Sequence, residues 1–200
     1  MTSILPRDFY NRPTLEVARG LLGTRLVRLE AGLRLSGIIT ETEAYIGEED
    51  LGCHARAGRT PRTAIMYGLP GCAYIYFTYG MHWCLNAVTE GAGFPAAVLI
   101  RAIRPQEGFA TIRKRRGERG TDGPAKLTRA LGIDGSLNGA DLCTPEAGLW
   151  IEPGIEVPDA AVTVGPRVGL NHVPEPWKSK PWRFQVSAHA FHEVGVWGTG

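Results

Sequence analysis

The feature that most restricts how this chain can fold is the succession of residues 24–30, the dipeptide Ala31-Gly32, and the long run Leu33–Ile46. The first run alternates in polarity, the dipeptide is a turn, and the second run is rich in β-branched residues. Together they predict two antiparallel strands. Residues 72–89 read as a hairpin with Tyr79-Gly80 at its tip, and residues 93–103 contain a further apolar strand at 96–100. Helical signals are short: residues 13–23, with Leu15, Ala18 and Leu22 on one face, then 106–116 and 125–131. Segments 148–151, 162–164 and 183–187 are the remaining strand candidates. Residues 47–70 form a long polar stretch, of the kind that is functional or carries short helices. Nothing alternates as β-α-β. The prediction is α+β: a single mixed domain over residues 1–200, with a curved, largely antiparallel sheet, short flanking helices and a protruding β-hairpin.

A chain of 200 residues buries roughly 70% of its unfolded surface and needs no staple. The four cysteines are scattered without a Cys-x-x-Cys pair, which argues against a zinc finger or a disulfide framework and for reduced, mostly buried thiols. Glycine-rich nucleotide loops and His-Glu-x-x-His are absent, so no cofactor and no metal is expected. No apolar run matches a membrane span, and residues 1–6 lack the core of a secretory signal. The expected location is cytoplasmic. Net charge is only +2, but residues 101–129 carry nine bases against three acids, and residues 41–50 carry five acids and no base. The basic stripe is a solvated helix face or a surface that tracks phosphates.

Candidate chemistry concentrates between residues 35 and 101. On a strand Glu41, Glu43 and Tyr45 point to one face. Glu-x-Glu is commonly a solvent-facing strand side, yet a carboxylate in a partly dry site can take a proton from water. Tyr74, Tyr76 and Thr78 share one hairpin face, with Ile75, Phe77 and Tyr79 on the other. An aromatic stripe of this kind is core or ligand box. Tyrosine in place of phenylalanine points to a polar rim, where stacked rings suit flat and cationic bases. A Tyr79-Gly80-Met81 tip exposes apolar surface, either to pack on the same chain or to wedge between base steps. Arg101 follows strand 98–100 as if delivered to a sheet end, able to pair with Glu43 or a phosphate. Asn86 is a turn or bulge residue, or an amide that reads a base edge. His54 lies between the acidic run and Arg56, Arg59 and Arg62.

Taken together, these residues resemble the alkyladenine (3-methyladenine) DNA glycosylase family. The resemblance rests on Glu41-Thr42-Glu43-Ala44-Tyr45, His54 with Thr60-Pro61-Arg62, Tyr74-Ile75-Tyr76 with Tyr79-Gly80-Met81 and Asn86, and Leu99-Ile100-Arg101-Ala102. It continues through Gly123-Pro124-Ala125-Lys126-Leu127, Pro166-Arg167-Val168-Gly169 and Lys180-Pro181-Trp182-Arg183-Phe184. It implies a monofunctional glycosylase without metal or cofactor, whose hairpin enters the minor groove. Its partner would be double-stranded DNA carrying damaged purines such as 3-methyladenine, 7-methylguanine, hypoxanthine or ethenoadenine, bound by a monomer. Glu43 matches the base that activates water; Arg101 and the carbonyl of Val168 match groups that hold that water. Tyr45, His54 and Tyr76 match the walls around the flipped base, and Asn86 the residue that excludes the amino group of guanine. Tyr79 matches the intercalating plug, with Met81 beside it. His82 stands where vertebrate members tend to carry a tyrosine, and Thr60 and Met66 lie where the family approaches the DNA strands. The family also fits a bacterial, nucleoid-associated protein, or a nuclear one in a eukaryote. Two other readings are weaker. A lesion-sensing protein that does not cut could dispense with Glu43. A glycosidase built on Glu41 and Glu43 would need its carboxylates on opposing sides of the bond, about 5–9 Å apart.

Overall fold

The computed structural model describes residues 3–117 and 119–186. Among these residues eight strands are connected in antiparallel fashion: β1 (Arg25–Glu30), β2 (Leu33–Ile46), β3 (Ala73–Thr78), β4 (His82–Val88), β5 (Ala96–Glu107), β6 (Leu149–Glu152), β7 (Val162–Gly165) and β8 (Arg183–Val186). The main path runs β3-β4-β5-β2-β1-β6, with β8 on β2 and β7 on β8. β2 is the spine. One edge pairs with β5 from Ser36 to Ile46, while the other pairs with β1 up to Ile38 and then with β8 from Glu41 to Glu43. The α+β class with a curved antiparallel sheet is as expected.

Among the described residues four α-helices flank the sheet: α1 (Arg7–Tyr10), α2 (Thr14–Gly20), α3 (Phe109–Arg116) and α4 (Pro124–Leu131). The one-turn helix α1 escapes sequence reasoning because it is held by a fully buried Tyr10 rather than by periodicity. In α2 Val17 and Ala18 face the core; Leu15 is only partly buried, so the stripe is rotated from the expected one. Gln106 and Glu107 belong to β5, not to the helix expected from residue 106. The first half of β2 needs a partner on that edge, and Glu107 pairs there with Ser36 and accepts a 2.5 Å bond from its hydroxyl. Gly108 then ends the strand at φ +78, where a Cβ would lie 2.2 Å from Leu35 Cδ2. Ser187, included in the last expected strand, lies outside the described residues.

The main core fills the space between the sheet and α2 and α4, with Leu21, Leu26, Ile39, Leu85, Ile100, Leu127 and Leu131 at its centre. A second cluster of Cys53, Ala55, Met66, Tyr74, Val88 and Ala97 lies under the long loop. That loop carries two 3-10 turns, His54–Ala57 and Ala64–Tyr67.

Candidate active site

β2 and β5 meet at two offsetting irregularities. Ile39 pairs with Ile103 and Thr42 with Ile100, so the register is the same on both sides. Between them Glu41 pairs with Ala102, leaving Thr40 on β2 and Arg101 on β5 without an opposite residue. Such bulges re-aim side chains. Here the bulge turns Arg101 onto both carboxylates of β2: Nε reaches Glu41 Oε1 at 2.9 Å and Nη1 reaches Glu43 Oε1 at 3.3 Å. Arg101 therefore sits in mid-strand and not at the sheet end expected for it. Arg183 on β8 adds a second cation to Glu41 at 3.1 Å. The two carboxylates escape mutual repulsion by pairing with arginines.

Glu43 is fully buried. Its Oε1 also accepts the Val168 N–H at 2.7 Å, and its Oε2 accepts the Tyr45 hydroxyl at 2.8 Å. Burial raises the Glu43 carboxyl above its ordinary value, against the pull of Arg101, Val168 and Tyr45. Burial, then the neighbouring Glu43, pushes the Tyr45 phenol well above its usual range. Val168 thus reaches the site through its N–H; the expectation for it concerned the carbonyl.

Tyr45, Arg101 and Val168, the three residues that hold Glu43, all line a cavity of about 470 Å3. Glu43 itself stands one layer behind that wall. The same cavity is lined by His54, Tyr74, Tyr76, Asn86, Tyr79 and His82. The His54 ring meets Tyr76 edge-on, centroids 4.5 Å apart, and its Nδ1 shares a 2.9 Å hydrogen bond with the Tyr74 hydroxyl. Burial, with Arg62 and Arg56 adding to it, lowers His54 to about 4, so its imidazole is neutral at physiological pH. Asn86 is in regular β4 pairing, neither turn nor bulge, and its amide N–H donates to the Tyr74 carbonyl at 2.9 Å. Burial holds the Tyr76 phenol and the Cys84 thiol protonated as well.

At the hairpin tip Tyr79 (φ +51) and Gly80 (φ +66) are both left-handed, and the Met81 N–H closes the turn on Thr78 O. This conformation takes Tyr79 out of strand alternation and onto the cavity rim, where it is 85% exposed; Met81 is 66% exposed. Among the described residues the tip does not pack back on the chain. Met66 corrects an expectation: at 1% exposure it forms part of the cavity floor, so in this structure it has no surface to offer a DNA strand. Its apolar side chain belongs to the buried cluster that contains Tyr74. Thr60 is half-buried and outside the lining, its hydroxyl engaged with Thr63 at 3.0 Å.

The Asp50–Arg167 pair was not singled out from sequence. Both side chains are fully buried, with contacts of 2.5 and 2.8 Å. Arg167 also bonds Ala44 O, and its guanidinium lies 4.7 Å from the Tyr45 ring centroid and 4.9 Å from that of Trp182. It backs Tyr45 and fixes the backbone next to Val168. The advance signals were separate, an aspartate closing an acidic run and Arg167 within the Pro166-Arg167-Val168-Gly169 match, and nothing joined them because the partners are 117 positions apart.

Residues 8–190 match the family model described as methylpurine-DNA glycosylase. The chain belongs to that family. It is 50% identical over 182 residues (91% of this chain, 89% of the relative) to a Myxococcus xanthus protein named "Putative 3-methyladenine DNA glycosylase". Relatives of the same name share 49% identity in Methanocella arvoryzae (90% and 91% covered) and 45% in Herpetosiphon aurantiacus (94% and 87%). As a member of the methylpurine-DNA glycosylase family the protein is a hydrolase acting on DNA. No helix among the described residues is long and apolar enough to cross a membrane.

Proposed function

We propose that this glycosylase extrudes an alkylated purine from duplex DNA into the cavity of Tyr45, His54 and Tyr76, and hydrolyses its N-glycosidic bond with a water activated by Glu43. The observation that carries the reading is the desolvated Glu43 carboxylate, held by three groups of the cavity wall. A base buried in a duplex is out of reach, so it must be flipped, at a cost of a few kcal/mol. Tyr79, standing at the rim with most of its surface free, can fill the vacated stack and offset part of that cost. Met81 and His82 at the same tip would meet the DNA beside it.

The ring faces of the wall suit a flat, cationic purine. His54 is neutral, the tyrosines and Cys84 are protonated and Arg101 is committed to carboxylates, while Arg56 on the lining and Arg62, 5.2 Å from the Tyr76 ring centroid, are cations on the same side as His54. Ring faces attract a cation, and alkylation at a ring nitrogen also makes the purine a better leaving group. Asn86, fixed through Tyr74, presents its amide to the base edge and discriminates among purines. Three donors occupy three of the roughly four acceptor positions of the Glu43 carboxylate, so Oε2, which accepts only the Tyr45 hydroxyl, keeps a lone pair for the proton of a water that reaches it. Catalytic hydrogen bonds commonly reach their working geometry only in the complex. Arg101 and Val168 would orient the water.

The test is release of methylpurine from methylated duplex DNA. Glu43→Gln should lower the single-turnover rate by about 10³-fold, within the usual range for a general base, while lesion binding changes only slightly. Wild-type activity in that variant would remove Glu43 from the mechanism.

A further inference from the structure

The chain places two carboxylates on one face of β2, and the proposed reaction uses one. Glu41 is 7% exposed and receives two arginines, Arg101 and Arg183. Arg101 is divided: its shorter contact goes to Glu41, its longer one to Glu43. A carboxylate with a guanidinium to itself is held ionised and becomes a weak base, whereas a buried carboxylate with no cation stays protonated. A base for water must lie between these limits.

We propose that Glu41 is a positioning residue acting through Arg101: it holds one edge of the guanidinium, so that Glu43 receives a shared charge and remains able to take a proton from water. This rests on the reading of Glu43 as the base. The groups facing Glu43 are Tyr45 and Glu41 on β2, Arg101 on β5, Tyr76 and Cys84 on the hairpin, and the Val168 N–H. Arg183 lies opposite on β8 and Arg167 behind Tyr45. Arg167 is neutralised by Asp50, and Tyr76 and Cys84 are uncharged. The charge at Glu43 is therefore set by Glu41 against Arg101 and Arg183. Burial raises the Glu43 carboxyl and the Glu41 charge acts in the same direction.

The experiment is the pH profile of kcat/KM for methylpurine release from methylated duplex DNA, in wild type, Glu41→Gln and Arg183→Gln. Without the Glu41 charge, Arg101 acts on Glu43 alone, and the acidic limb should move down by about one pH unit, as one partly buried charge does. Without Arg183, Glu41 leans wholly on Arg101 and the limb should move up. Opposite displacements support the proposal. Limbs that stay in place while rate or thermal stability falls show a merely structural Glu41 and overturn it, as does a wild type with no acidic limb. Should Glu41→Gln fail to fold, the upward shift in Arg183→Gln decides alone. Glu43→Gln run in parallel separates the two claims. An active Glu43→Gln enzyme overturns the base itself. An inactive one beside unmoved limbs overturns only the part given to Glu41.

Discussion

His54 shows how far burial can move one side chain. Its imidazole is lowered to about 4 from 6.5 because the ring is desolvated and faces Arg62 and Arg56. The folded protein therefore binds fewer protons than the unfolded chain between these values, and stability falls as pH drops from about 6.5 toward 4. Glu43, raised by burial, acts in the opposite sense just above its ordinary value but is common to any His54 variant. Urea unfolding across this range should show a shallower loss of stability in His54→Gln than in wild type; equal slopes would mean that His54 is not the titrating group. The identity of His54 was legible as a loop histidine among arginines. Its neutrality was not, because desolvation depends on Tyr74 and Tyr76, which lie about twenty positions along the chain.

At the level of elements, the hairpin and the β2–β5 pair carry the site by different means. The place of Tyr79 at a hairpin tip was readable from the sequence, but whether it packs on the chain or stands free was not. What the strand rule misassigned was its direction: the left-handed φ at Tyr79 and Gly80 breaks the alternation that put it with Ile75 and Phe77. Tyr79→Ala should lower base extrusion, read by the fluorescence of 2-aminopurine beside the lesion, on the order of tenfold, with a smaller change in affinity. Equal losses in both would make Tyr79 a simple contact. The paired bulges at Thr40 and Arg101 left no trace in the sequence. A bulge arises from competition between two strand registers, and neither strand alone encodes it.

For the molecule as a whole, the Asp50–Arg167 pair joins the long loop to the segment carrying Val168, and backs Tyr45 on the way. Asp50→Ala leaves a guanidinium buried without its counter-charge, a loss of about 3–5 kcal/mol, and should lower the urea midpoint strongly and the activity with it. A change below about 1 kcal/mol would show that the pair is dispensable. Strand patterning and turn dipeptides determined the α+β sheet and the hairpin, and the residues named in sequence stood as candidates for the site. These are local properties, written in spacings of two or in single turns. Only the tertiary structure decided which groups are dry and which are paired. Glu43 drops behind the cavity wall, Met66 sinks beneath it and Arg101 divides between two acids, because desolvation and ion pairing come from neighbours far away in the chain.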